Sequence, residues 1–224
     1  MGGKSSVFNM IGPVMIGPSS SHTAGVVRIG NAARKLFGEQ PEKATITFYN
    51  SFARTYEGHG SDRAIVAGLL DFKTDDKRIK TALEIAETNN LKIRFKSVGN
   101  SSTMHPNTIA VKMESSNKKM SVIGESLGGG SIQIVDVDGF SARFSTALYT
   151  LIIRALDIKG SIAFMANVLS QAECNIATMT VSRKGKNDLA CQVIEMDSDV
   201  NDVTLNYLTS LSFVKDIIYL PKMI

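Results

Sequence analysis

The residues best suited to chemistry are few. The chain of 224 residues holds three histidines: His22 in GPSSSHTAG, His59 in EGHGSD and His105 in TMHPNT. Imidazole takes up and releases protons near neutral pH. Each histidine sits among small or turn-forming residues that let a ligand approach, and none lies on an apolar helical stripe. Three surface histidines fallen into loops by chance would read the same way one at a time. The richest stretch runs from Ile11 to Gly25, where Gly-Pro occurs twice before Ser19, Ser20, Ser21, His22 and Thr23 lead into a helix pattern. A helix start offers unpaired N–H groups and a partial positive charge. With hydroxyls added it is a cradle for a carboxylate or phosphate, and Arg28, about a turn later, adds a charge-assisted contact. The plainer alternative is that one serine caps the helix and the others are solvated. No P-loop pattern is present.

Gly128, Gly129 and Gly130 form a second glycine-rich stretch, either a hairpin or bulge or a loop whose backbone approaches a ligand. Asp62 and Arg63 read first as a helix cap and a solvated charge. Cys174 and Cys191 read as small buried residues on a helix and a strand.

Around these groups the elements divide near residue 147. Residues 1–147 predict a mixed or antiparallel α/β domain, and residues 148–224 a smaller one. In the first, residues 1–21 read as irregular, and a helix runs from Thr23 to Phe37 with Gly38 as its stop. A strand covers 45–50. Helices follow at Asp62–Leu70, opened by a Ser-Asp cap, and at Asp76–Thr88. The runs KIRFKSV, TIAVKMES, KMSVIGES, SIQIVDVDG and FSARF supply up to five strands. In the second, the run YTLIIRALDIK is a strand, and Ile162, Met165, Leu169 and Cys174 mark the buried face of a helix. Two strands, a helix with Asp202 as its capping candidate and the strand VKDIIYL follow. The order β-α-β-β-α-β is ferredoxin-like. The fold class is therefore α+β, or mixed α/β.

Composition narrows the classes. The net charge of +4 comes from 25 basic against 21 acidic residues. Lys4, Arg28, Arg34 and Lys35 fall in the first 38 residues, which hold no acid, so the remainder balances. There is no basic stripe and no tryptophan, which argues against a nucleic-acid binder. The excess is local and suits a small anion or an acidic partner near the N-terminal segment. No apolar run reaches the ~18 residues of a membrane span, and MGGKSSVFNM lacks a signal peptide's apolar core. Two cysteines fit a reducing, cytoplasmic setting and cannot alone ligate an iron–sulfur cluster.

Together GPSSSHTAG, GHGSD, TMHPNT and SLGGGSI resemble the β chain of bacterial iron–sulfur-dependent L-serine dehydratase, in the expected order and over nearly the whole chain. The Ser-Ser-Ser-His-Thr stretch is the most specific part. The C-terminal unit resembles an ACT domain, with Asp157-Ile-Lys-Gly160 as its D-x-x-G turn. The resemblance implies a lyase of serine catabolism, feeding gluconeogenesis, that converts L-serine to pyruvate and ammonia. It implies a 4Fe-4S cluster ligated by a partner α chain, so this chain holds no metal and is one half of a heterodimer. The clustering makes His22, His59 and His105 the expected catalytic residues, with His59 and His105 as acid–base groups or hydrogen bonds near the hydroxyl and His22 joining Ser19, Ser20, Ser21 and Thr23 in gripping the carboxylate; Gly128, Gly129 and Gly130 are further expected substrate-binding residues. Asp157, Gly160 and Asn167 would mark a regulator site in the ACT domain, unless that domain is purely structural. Pairing of two ACT domains side by side is expected, since a small sheet leaves an edge strand exposed. The alternative is a non-catalytic subunit that senses amino acids.

Overall fold

The computed structural model describes residues 13–99, 103–186 and 188–223. Lys4 and Gly12 lie outside the described residues. The chain forms two compact units, residues 1–134 and 135–224.

In the first unit a π-helical turn, Ser20–Ala24, leads into α1 (Gly25–Phe37). Then come β1 (Lys43–Tyr49), α2 (Asn50–Thr55), α3 (Ser61–Leu69), a 3-10 turn (Lys77–Thr81) and α4 (Ala82–Thr88). Strands β2 (Lys92–Val98), β3 (Thr108–Glu114), β4 (Lys119–Gly128) and β5 (Ser131–Val137) follow. The strand order is β2-β1-β3-β4, with β5 beside β4. β1 runs parallel to β2, with Ile46 opposite Phe95, and antiparallel to β3, with Ile46 opposite Val111. The sheet is therefore mixed. The parallel pair needs a crossover, which α2, α3 and α4 supply.

α1 buries Val26, Val27, Ile29, Ala33 and Leu36, the apolar face that its sequence spacing predicts. It meets α3 through glycine. A Cβ at Gly68 would stand 2.2 Å from the Val27 carbonyl oxygen, and one at Gly30 would stand 2.5 Å from that of Ile65. Only glycine lets the two backbones approach so closely.

Three local expectations in this unit are corrected. Position 50 starts helix α2 rather than ending a strand, because the Asn50 side-chain amide donates to the carbonyls of Met104 and His105. Ser61 does not cap α3: Gly60 holds that place without a side-chain bond, and the Ser61 hydroxyl is spent elsewhere. The helix expected over 76–88 divides at Thr81, where a 3-10 turn capped by Asp76 brings Ile79 into the core beside Ala82 and Ala86.

The second unit contains the end of β5, β6 (Phe140–Ser145), β7 (Tyr149–Leu156), α5 (Ser161–Gln171), β8 (Ile176–Arg183), β9 (Leu189–Met196), α6 (Asp202–Ser210) and β10 (Val214–Leu220). From β7 onward the order is β-α-β-β-α-β, and the sheet runs β10-β7-β9-β8 with every pair antiparallel. That is the ferredoxin-like topology. Leu151, Ile153, Met165, Leu169, Ile194, Met196 and Leu208 fill its core.

The two units divide inside β5, earlier than the expected boundary at 147. The β6 segment belongs to the second unit: the Glu195 carboxylate accepts from the Ser145 amide and hydroxyl, and Ser182 donates to the Ser141 carbonyl. Ile162 is exposed rather than buried. Cys174 is buried but lies past the end of α5. Asn201, not Asp202, caps α6 by accepting from the Thr204 amide. Asp202 is instead in the first turn, where a negative charge meets the helix dipole.

Candidate functional site

The serine-rich segment is the centre of the site. Ser19 is extended, with φ −143° and ψ 129°, and caps the π turn: its hydroxyl accepts from the His22 amide at 3.2 Å. Its carbonyl accepts from the Thr23 amide at 2.8 Å. The capping alternative is thus realised by one serine, but the others are not simply solvated. The His22 ring nitrogen Nδ1 lies 3.3 Å from the Ser19 hydroxyl and 3.2 Å from that of Ser21, and the two hydroxyls are 3.3 Å apart. Ser20 begins the turn, half-buried. Thr23 is buried, its hydroxyl without a partner among the described residues.

The His22 ring stands edge-on to Phe52 at 4.8 Å between centroids, and tilted against His59, also at 4.8 Å. Its Nε2 is buried and has no hydrogen-bond partner among the described residues. Burial, and secondarily the neighbouring His59, pull its pKa below the usual 6.5. His22 is therefore neutral at pH 7, the form that accepts a proton.

His59 is exposed and stands at the end of a tight turn: its amide donates to the Thr55 carbonyl and Gly60 follows with φ +70°. It lines a cavity of about 240 Å³ together with Gly17, Pro18, Thr23, Glu57, Arg63 and Lys80. The cavity thus offers a carboxylate, two cations, a hydroxyl and an imidazole.

His105 has different neighbours. Its Nδ1 accepts from the Asn107 amide at 3.2 Å, which places the proton of the neutral ring on Nε2. Its carbonyl accepts from the Thr108 hydroxyl at 2.7 Å. Ser126 ties this loop to the serine-rich turn, since its amide donates to the Asn107 carbonyl and its hydroxyl to the Ser21 carbonyl. The structure therefore brings His22 and His59 into ring contact, and links the His105 loop to them through Ser126 and through α2, where Asn50 donates to the His105 carbonyl and Phe52 packs on His22.

Gly128, Gly129 and Gly130 have φ of +97°, +59° and +80°, a left-handed run that only glycine adopts freely. Gly128 ends β4, and Gly129 and Gly130 form the turn into β5. The Gly130 carbonyl accepts from the Arg28 guanidinium at 2.8 Å, so the arginine expected to reach an anion has one N–H engaged by the backbone.

In the second unit Asp157 pairs with Arg183 at 2.9 Å, and Gly160, at φ +83°, precedes α5. Asn167 lines a groove of about 710 Å³ along α5 and α6 with Phe164, Gln171, Asn201, Thr204 and Tyr207. Asp157 and Gly160 are not among its lining residues.

The donor set of this chain does not fit an iron–sulfur cluster. Both cysteines are buried. Cys174 donates to the Asp199 carbonyl, and burial pushes the Cys191 thiol up to about 11. Among the described residues no three His, Cys, Asp or Glu side chains group as metal ligands. Sequence reasoning missed Ser61, Ser126 and Phe52 around His22, and Glu57 and Lys80 in the cavity. No local signal marks Ser61, Ser126, Phe52 or Lys80, because each joins the site through a contact distant in sequence; Glu57 stands in the His59 segment itself.

Residues 6–99 match the family described as serine dehydratase beta chain. The chain is 47% identical to the probable L-serine dehydratase beta chain of Bacillus subtilis, over 92% of this chain and 93% of that one. It is 33% identical to the L-serine dehydratase beta chain of Peptoniphilus asaccharolyticus, over 88% and 89%. Among solved structures it is similar to the ACT domain of a GTP pyrophosphokinase of Chlorobium tepidum, with a TM-score of 0.29 and 18% identity, over 34% of this chain and 88% of that one.

Proposed function

The chain belongs to the serine dehydratase beta-chain family, and on that premise we propose that it is the beta subunit of an L-serine dehydratase, acting with an alpha chain to convert L-serine to pyruvate and ammonia. The observation that carries the reading is the His22–His59 pair, with Nδ1 of His22 among serine hydroxyls and its Nε2 unpartnered.

The elimination removes the α-proton of serine, forms the Cα=Cβ bond and expels the β-hydroxyl as water; the aminoacrylate then hydrolyses. An imidazole must be neutral to take that proton. Burial, and secondarily the neighbouring His59, lower the His22 pKa and keep that ring neutral. His59, at the cavity, meets the substrate, and His105 supplies a further hydrogen bond or proton. Thr23 and the serines grip the carboxylate. A 4Fe-4S cluster, held by the alpha chain and not by this one, would supply a Lewis acid for the leaving hydroxyl. His22→Ala, His59→Ala and His105→Ala in the reconstituted alpha–beta enzyme test the assignment. At least one loses turnover by about a hundredfold or more; near-normal turnover and serine affinity in all three sinks it.

The C-terminal unit is then an ACT domain, placed cytoplasmically with the rest of the chain, which has no helix among the described residues long and apolar enough to cross a membrane. Two copies pair through it, and a strict monomer in size-exclusion chromatography counts against that. A second reading, an amino-acid sensor, is favoured by one feature: Glu57, Arg63 and Lys80 of a single unit offer both charges that a zwitterion needs. Calorimetric titration of the isolated full chain with L-serine separates the two. Tight binding without the alpha chain, with turnover intact in the histidine variants, selects the sensor.

A further inference from the structure

We propose that Ser61 and Ser126 are positioning residues that hold the Ser20–Ala24 turn open and thereby set the His22 ring against His59. The proposal rests on the reading of His22 and His59 as the proton-handling pair. Both serines are fully buried. Ser61 donates to the His22 carbonyl at 2.9 Å and Ser126 to the Ser21 carbonyl at 2.9 Å. Two consecutive carbonyls of one short turn are therefore gripped from opposite parts of the chain, by the start of α3 and by β4.

A buried hydroxyl needs a partner, and Ser61, as the first residue of α3, has no carbonyl of its own helix four residues earlier to accept from it. Ser61 reaches 39 residues back instead. The backbone is also shaped to receive the second serine: a Cβ at Gly25 would stand 2.2 Å from the Ser126 hydroxyl oxygen. The turn that they hold is π-helical, a geometry that occurs in single turns and frequently at functional sites. An ordinary α-helical turn would place the His22 side chain at a different angle from α1. The ring's packing on Phe52 and His59 thus depends on the two carbonyls staying where the hydroxyls fix them.

The full chain, labelled with 13C-histidine, tests this, because three histidines give three ring signals and His22→Gln identifies one of them. In Ser61→Ala and in Ser126→Ala the His22 signal titrates nearer the ordinary histidine value than in the wild type. In the reconstituted alpha–beta enzyme kcat falls by about tenfold or more, with a smaller change in KM. Ser182→Ala, which removes a hydroxyl-to-carbonyl bond in the second unit, moves neither. If one serine variant does not fold, the other carries the test. An unchanged His22 titration and kcat, with only a lower melting temperature, overturns the proposal. Should the serine variants shift His22 while His22→Gln keeps full turnover, the catalytic reading fails and the positioning role stands.

Discussion

Gly68→Ala tests the close packing on which the site depends. Glycine to alanine inside a helix ordinarily stabilises it by about 1 kcal/mol. Here the new methyl would meet backbone: the Val27 oxygen at 2.2 Å, Gly30 Cα at 2.7 Å and the Asn31 nitrogen at 2.8 Å. None of these is the end of a flexible side chain. Overpacking a core costs about 1–3 kcal/mol, and contacts this short belong at the upper end. The net expectation is a loss of about 2 kcal/mol, against the gain that propensity alone predicts. For a chain of this length that is a fall of roughly 4–8 °C in melting temperature, read by circular dichroism and assigned to the first unit by hydrogen exchange of the α1 amides. Restoring a carbon–oxygen contact of roughly 3.3 Å requires α1 and α3 to part by about 1 Å. A parting along the Ser61–His22 bond, now 2.9 Å, lengthens it to roughly 3.9 Å, beyond hydrogen-bond reach. Gly58→Ala is the comparison, since its Cβ would find only the Thr55 oxygen at 3.9 Å, and it stays within about 0.5 kcal/mol. A Gly68→Ala chain that is as stable as the wild type, or more so, would refute the contact between the helices.

Three further outcomes are expected. His22 has a folded pKa below 6.5, first through burial and then through His59. The native chain therefore refuses a proton that the unfolded chain accepts. Stability is full above about pH 6.5, falls as the pH drops through that value and levels off below the folded pKa. Urea midpoints across this range show it, and His22→Gln flattens the slope; stability that rises on acidification contradicts it. Both cysteines are buried and the Cys191 thiol is pushed up to about 11, so a disulfide reagent at about pH 8 modifies neither in the native chain and both in denaturant. Rapid native labelling overturns that expectation. Asn201→Ala removes the cap of α6 and destabilises the second unit by about 1 kcal/mol, whereas Asp202→Ala costs only a few tenths; equal losses by chemical denaturation contradict the assignment of the cap.

Strands were legible because alternation is local. In β1 the buried positions Ala44, Ile46 and Phe48 alternate with the more open Thr45, Thr47 and Tyr49, and the pattern stands in the sequence unaided. The ferredoxin-like order follows from such runs and from the helix between them. The candidate histidines were legible by type and by their small neighbours. Their supports were not, because a hydroxyl's partner is not encoded beside it. Ser61 looks like a cap until α3 is packed on α1, and Ser126 looks like any strand serine until Gly25 brings the turn within reach. Asn50 escaped for the same reason, starting a helix through carbonyls more than 50 residues away.

The charge pattern changes meaning most. The positive excess of the first 38 residues suits an anion beside the serine-rich turn, but the structure gives the described cations other work. Arg28 donates to the Gly130 carbonyl and seats the β4–β5 turn. Arg34 and Lys35 lie in the last turn of α1, where positive charge meets the helix dipole. The cations that line the cavity beside His59 are Arg63 and Lys80, from α3 and the 3-10 turn, with Glu57 opposite in sign. Arg28, Arg34 and Lys35 of the acid-free segment thus serve α1 and the β4–β5 turn, while the cavity draws its charge from residues of later stretches that hold both signs. Net charge along a sequence reports where cations are, and the fold decides which of them are left to meet a ligand.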